Sequence, residues 1–201
     1  MEQGMDYKFT KQAVIKGFSI ERLFTWGALF ISFMVVNPSG ILANNQESVV
    51  SLKEIREAGV VKQKWDTSCG AAAMATVFTY YFNDPVSERE VAEGLLRQTE
   101  PLKVRYQGGF SMLDMKRYAQ ERGYKAIGFK QLSFEDLRYF DGSIIPVNLN
   151  GYNHYVVYKG LTLDDKVWLA DPAYGNRTIS RKRFERVWLD GILFTLIKGN
   201  K

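Results

Sequence analysis

The chain is poor in the residues that build covalent and metal staples. It has one cysteine, Cys69, so no disulfide forms within it. It has one histidine, His154, and a single thiol plus a single imidazole make no zinc site without several carboxylates. The expectation is a chain with no cofactor and no metal. General-base chemistry near neutral pH falls to His154 alone. Charge of neither sign dominates: 27 Lys and Arg stand against 22 Asp and Glu, a net charge of +5. So mild a surplus does not call for nucleic acid as a partner. Also missing are internal repeats, low-complexity tracts and any run of the roughly 20 apolar residues that a membrane span needs. What remains is ordinary globular material, 46% hydrophobic and 24% charged, enough for one domain plus a targeting segment.

The targeting segment is expected in residues 1–43. A polar, partly basic start through Arg22 precedes the apolar stretch Leu23 to Val36, and no charge follows until Glu47. Pro38, Ser39 and Gly40 break the run, and Ala43-Asn44 follows as a cleavage point. A basic start, a short apolar run and a small-residue exit describe a secretory signal peptide. An uncleaved N-terminal membrane anchor, an inner-membrane tether through residues 23–36, fits the same pattern. A buried core helix fits less well, because the run is apolar on every face. Positive residues ahead of the run stay in the cytoplasm, so the rest of the chain is expected to be exported, periplasmic or facing the periplasm at the inner membrane. Residues 44–58 read as a linker with a short polar helix, Ser51 to Glu57, and residues 59–198 as the folded domain.

The chain is organised around Val60 to Phe82, V-V-K-Q-K-W-D-T-S-C-G-A-A-A-M-A-T-V-F-T-Y-Y-F. Cys69 sits where a loop becomes a helix. Asp66, Thr67 and Ser68 before it are N-cap residues. Gly70 and the alanines after it permit close helix packing, and Asn83-Asp84-Pro85 ends the helix. A thiol at a helix N-terminus faces unpaired N–H groups and the positive end of the dipole, both of which favour the nucleophilic thiolate. Gln63 offers a side-chain amide for a developing oxyanion. The bland alternative is that a lone cysteine is a small buried hydrophobe.

Further along, Ser87 with Glu90 makes a capping box for a helix over Val86 to Arg97. Gln98 to Gln107, interrupted by Pro101, is expected as a loop. Ser111 with Asp114 starts a helix to Arg122, stopped by Gly123. A strand follows over Tyr124 to Lys130, and a short helix starts at Ser133 with Asp136. Strands are then expected at Ile144 to Asn148, Asn153 to Lys159, Lys166 to Asp171 and Ile192 to Ile197. Pro146 marks an edge or a bulge, and Asn150-Gly151 a turn. Ser180 to Trp188 reads as a helix. The cluster Arg177, Arg181, Lys182, Arg183 and Arg186 reads first as a solvated helix face and second as a contact for acidic substrate or lipid headgroups. Helices early and strands late argue α+β with an antiparallel sheet.

If the strands that start at His154 and end at Asp171 pair as a hairpin, the two side chains become neighbours at one edge of the sheet. A carboxylate then orients an imidazole, and the imidazole deprotonates Cys69, the general nucleophile–base–orienter arrangement. Taken singly, His154 reads as a satisfied half-buried histidine and Asp171 as a turn residue before proline.

The spacing from Gln63 to Cys69-Gly70, with its alanine-rich helix, resembles the double-glycine leader peptidases that process bacteriocins. These are papain-like cysteine peptidases borne on export transporters. The resemblance continues through Gly109-Phe110-Ser111, Pro146-Val147, His154-Tyr155-Val156-Val157 and Asp171-Pro172, and covers about residues 55–198. It implies a papain-like fold, an N-terminal helical half followed by a C-terminal antiparallel sheet. It implies Cys69 as nucleophile, His154 as base, Asp171 as its orienter and Gln63 with the Cys69 N–H as oxyanion hole. The expected partner is a peptide or protein substrate, with a glycine-rich cleavage site and a secretion-system component as options; cleavage after a double-glycine leader does not follow from the resemblance, because the family's transporter-borne domain faces the cytoplasm and this one is expected to be exported. Two departures stand out: Ser68 replaces the family's common acidic residue before the cysteine, and these 201 residues carry no transporter or nucleotide-binding segment. Endopeptidase chemistry is therefore the first expectation. An acyltransferase or transpeptidase using the same triad, and a non-cleaving leader-binding module, are the rivals.

Overall fold

A computed structural model of the chain describes residues 50–199. The targeting segment expected in residues 1–43 lies outside them. Six helices and six strands follow in order. Helix α1 is Leu52–Glu57, α2 Cys69–Tyr81, α3 Glu88–Leu96, α4 Pro101–Gln107 and α5 Met112–Glu121. Strand β1 is Tyr124–Phe129, and a 3₁₀ turn over Phe134–Tyr139 leads to β2, Ile144–Leu149. Then come β3 Tyr152–Leu161, β4 Lys166–Asp171, β5 Gly175–Ser180, α6 Arg181–Val187 and β6 Leu193–Lys198. Among the described residues, no helix is long and apolar enough to cross a membrane.

The strands form one antiparallel sheet in the order β1-β6-β2-β3-β4-β5. Side chains alternate between its faces, as extended backbone requires. Ile144, Val157, Ala170 and Phe194 join α2, α3 and α5 in one core, and Ile145, Val156, Leu169 and Leu193 join Phe134, Leu137 and Phe184 in the other. The architecture is α+β, with the early helices on one face.

Helix α2 is the centre of the first core. Every residue from Cys69 to Phe78 is buried, so this part of the helix has no solvated side, and exposure begins only in its last turn, at Tyr80 and Tyr81. Its small residues let it sit close: a Cβ on Gly70 would come within 3.3 Å of Met115 Sδ and 3.4 Å of the Tyr155 ring. The Thr76 hydroxyl donates back to the Ala72 carbonyl and accepts the Val61 N–H, so this buried polar group is satisfied.

Four local expectations change. The loop expected over Gln98 to Gln107 is helix α4, because Pro101 stands in its first turn, where proline suits a helix, and Gly108 closes it at φ 72°. Ser68 precedes α2 but makes no cap; its hydroxyl is taken by Trp65 and Glu88. The polar helix of the expected linker docks on β5, where Asn176 Nδ2 donates to the Ala58 carbonyl at 2.6 Å. Arg177 belongs to β5 rather than to a solvated helix face. Pro146 lies inside the sheet, but its carbonyl accepts from Leu189 N–H on the side away from β3, and the missing N–H of proline faces that same side. There β6 has already left β2, since the two strands pair only at Ile144 and Phe194. The Asn150-Gly151 turn has φ of 55° and 90°, the left-handed pair that suits a two-residue hairpin.

Candidate active site

Cys69 is the first residue of α2 and is only 5% exposed. It lines a cleft of about 330 Å³ together with Gly109, Phe110, Pro146, His154 and Leu189. No side chain caps the start of α2, so the backbone donors there are left facing this end of the site.

His154 arrives from the start of β3 and Asp171 from the end of β4, and these strands are antiparallel neighbours. The pairing expected from sequence places both residues at one end of the strands; both strands are interior to the sheet rather than on its lateral edge. His154 Nε2 lies 2.8 Å from Asp171 Oδ1. The imidazole and Cys69 line the same cleft. With Nε2 turned to the carboxylate, Nδ1 is the ring nitrogen left for the sulfur. Burial alone would push the His154 pKa down, but hydrogen bonds and charge from Asp171 and Cys69 outweigh it and hold it up at about 9. The buried carboxylate thus favours the protonated form of the ring.

Asp171 is completely buried and every contact it makes is charge-compensating. Oδ1 accepts from the Ala173 and Tyr174 N–H groups at 2.9 and 3.3 Å, and Arg177 Nη1 lies 3.2 Å from Oδ2. Burial raises its pKa, while His154, the Ala173 N–H and Arg177 lower it further, and the net shift is downward. A carboxylate fixed by four partners cannot swing, so it fixes the imidazole plane in turn.

Gln63 is not among the residues lining the cleft. Its side-chain nitrogen donates to the Trp65 carbonyl at 3.1 Å, and its Oε1 is buried without a partner among the described residues. Its backbone is nevertheless tied to the site, the N–H donating to the Pro172 carbonyl at 2.9 Å. So the structure brings Cys69, His154 and Asp171 together and sets Gln63 beside them with its amide turned to its own loop.

Two site residues were not singled out in the sequence. Glu88 is 3% exposed, and its Oε1 accepts from the Lys64 N–H at 2.8 Å and from Ser68 Oγ at 2.6 Å. It thereby clamps the loop that delivers Cys69. An acidic residue in a first helical turn looks like ordinary dipole compensation, and nothing in the sequence marked it as buried. Arg177 gave no signal beyond membership of a basic cluster. Among the described residues no group of three or more His, Cys, Asp or Glu is arranged to hold a metal ion.

The sequence profile of the Peptidase C39 family matches residues 57–201. The chain is 39% identical over 162 residues to the probable functional amyloid protease FapD of Pseudomonas aeruginosa, an alignment taking in 80% of this chain and 69% of that protein. Among solved structures it is similar to the double glycine motif protease from an AMS/PCAT transporter, crystallised with its leader peptide. That match has 28% identity and a TM-score of 0.56 over 68% of this chain and 89% of the other. The peptidase domain of Streptococcus ComA, a bi-functional ABC transporter of a quorum-sensing pathway, matches in fold with a TM-score of 0.55 and 21% identity over 69% of this chain and 97% of that domain. Both structures are papain-like.

Proposed function

Since the chain belongs to the Peptidase C39 family and is a cysteine peptidase, we propose that it is an endopeptidase that cuts a peptide or protein precursor through Cys69, His154 and Asp171. The observation that carries this reading is the position of His154, bonded through Nε2 to Asp171 and lining one cleft with Cys69, the only thiol in the chain.

The Cys69 thiolate attacks the scissile carbonyl carbon, and the carbonyl π electrons move onto oxygen. The Cys69 backbone N–H, at the uncapped start of α2, donates to that oxyanion. Gln63 joins it by turning its amide from the Trp65 carbonyl, a rotation that exchanges one hydrogen bond for a charge-assisted one. Imidazolium Nδ1 then protonates the leaving amine as the C–N bond breaks. Water, deprotonated by the now neutral His154, attacks the acyl-enzyme; the C–S bond breaks and the thiolate returns. Asp171 keeps its charge throughout and holds the ring in line.

The similarities support one substrate class. One relative is named a probable functional amyloid protease and one structural neighbour was solved with a leader peptide. An exported polypeptide that is trimmed during secretion is the matching class for this chain. The apolar stretch Leu23 to Val36, with basic residues ahead of it, supports a location beyond or at the inner membrane.

The test is turnover of a candidate precursor by wild-type chain and by Cys69→Ala and Asp171→Asn. Loss of all cleavage in the first, and a fall of roughly 10²–10⁴-fold in kcat in the second, are expected. A Cys69→Ala chain that still cuts would falsify the assignment.

A further inference from the structure

A second cleft, of about 430 Å³, is lined by Arg177, the ion-pair partner of Asp171. Three guanidinium groups line it, those of Arg177, Arg183 and Arg186, and no carboxylate does. Tyr174, Leu149 and Val187 supply its less polar walls. Arg177 is held by Asp171 and stacks over Tyr174, its guanidinium carbon 5.6 Å from the ring centre. Among the described residues the Arg183 and Arg186 side chains have no hydrogen-bond or ion-pair partner. Their neighbour Arg181 differs: it pairs with both Glu135 and Glu185.

Like charges three residues apart on one face of a helix repel, so α6 gains nothing in stability from carrying both. An arginine fork matches a carboxylate in two parallel hydrogen bonds, which a lysine cannot do. The cleft is linked to the catalytic machinery in two ways. Its Arg177 is bonded to the same carboxylate that orients His154. The end of α6 and the connection that follows it line the two clefts, Val187 one and Leu189 the other. Those residues are two apart, roughly 7 Å at full extension.

We propose that this cleft is a substrate subsite in which Arg183 and Arg186 bind an acidic stretch of the peptide that Cys69 cuts. The inference rests on the peptidase reading above and adds the chemistry of the recognised segment. A concave site of this volume, lined by Val187 two residues from Leu189 of the catalytic cleft, suits an extended peptide better than a flat anionic surface. Arg177, engaged by Asp171, forms the floor; the two free arginines select.

The test separates binding from turnover. Fluorescein-labelled hexaglutamate and hexaglutamine are titrated by anisotropy into full-length Cys69→Ala protein, at low and at physiological ionic strength. Hexaglutamate is expected to bind about tenfold more tightly or better, to weaken with salt, and to lose that preference in an added R183E/R186E pair. Lys182→Glu, on the same helix but outside the cleft, is expected to keep it. The milder R183Q/R186Q pair gives the same readout if charge reversal disturbs folding. Equal affinity for the two peptides overturns the proposal, as does an equal loss in Lys182→Glu, which would reduce the effect to net charge. Displacement of hexaglutamate by inorganic phosphate at equal charge overturns it in favour of a free-anion site. Arginine-dependent binding to phosphatidylglycerol vesicles without hexaglutamate binding overturns it in favour of a membrane surface. In the active chain, R183Q/R186Q is expected to raise KM for precursors with acidic residues near the cut and to leave kcat unchanged. Failure of Cys69→Ala to abolish cleavage would remove the peptidase reading while leaving the binding result standing.

Discussion

The backbone N–H of Gln63 donates to the carbonyl of Pro172 at 2.9 Å, so the segment that carries the amide is pinned to the residue after Asp171. This bond belongs to the main chain and survives any change of side chain. Gln63→Ala is therefore expected to leave the fold and the His154–Asp171 pair in place and to act on the chemistry alone. The expected outcome is a fall in kcat of roughly 10²–10³-fold with KM little changed, the pattern of a donor used only in the transition state. Steady-state kinetics on one peptide substrate checks it. A rise in KM at constant kcat would assign Gln63 to ground-state binding instead.

His154 is the sole histidine, so its ring signals need no assignment in a nitrogen-15 NMR titration. Its pKa is expected well above the ordinary 6.5, at about 9, and to fall in Asp171→Asn, where the carboxylate that raises it is gone. The sign for stability follows. A group whose folded pKa is raised contributes stability that is fully present below 6.5 and lost as pH rises through about 9. Asp171, with its folded pKa depressed, contributes stability present above 3.8 and lost as pH falls through its folded value. The two statements describe one ion pair from its two ends and are not added. Chemical denaturation between about pH 4 and 6.5 should show the pair at full strength, and the alkaline limb of kcat/KM should follow the His154 proton.

How much of this was legible depended on distance along the chain. The hairpin from β2 to β3 was visible because Asn150-Gly151 demands a left-handed turn and the flanking strands are strongly apolar. The neighbourhood of His154 and Asp171 followed from antiparallel pairing of two adjacent strands. Strand β5 was not visible, because its sequence Gly175–Ser180 is polar and its partner face is made by α1 and β4, both remote from it in pattern. Arg177 was lost with it. Helix α4 was misjudged because Pro101 reads as a breaker until its position as first-turn residue is known. Ser68 looked like a cap, and only the buried Glu88, twenty residues on, claims its hydroxyl.

Gly94 faces Tyr118 across the α3–α5 contact, where a built Cβ would lie 2.1 Å from Tyr118 Cε2. The ring is 5% exposed and packs edge-on against Phe78, so it has little room to give. Gly94→Ala is expected to destabilise by about 1–3 kcal/mol, despite the better helix propensity of alanine. Tyr118→Ala/Gly94→Ala should recover part of the overlap cost though not the lost ring packing. Melting by circular dichroism checks both. An unchanged midpoint for Gly94→Ala alone would show that α3 and α5 can slide apart at no cost.

Glu88 holds the Lys64 N–H and the Ser68 hydroxyl with one oxygen, while its other oxygen is buried without a partner among the described residues. Removing the carboxylate in Glu88→Ala leaves the half-buried Lys64 N–H without its acceptor and the Ser68 hydroxyl with the Trp65 main chain alone, a cost of about 1–3 kcal/mol. Because those two groups sit on either side of the turn that delivers Cys69, the loss should also reach the site. Alkylation of Cys69 by iodoacetamide is expected to slow, and kcat to fall more than KM rises, as the sulfur drifts from His154. Glu88→Gln keeps an acceptor of the same shape and should recover most of the stability and of the alkylation rate. If Gln behaves like Ala, the negative charge rather than the hydrogen bonds holds the loop; if both leave alkylation unchanged, the turn is set by Trp65 and Ser68 without help from α3.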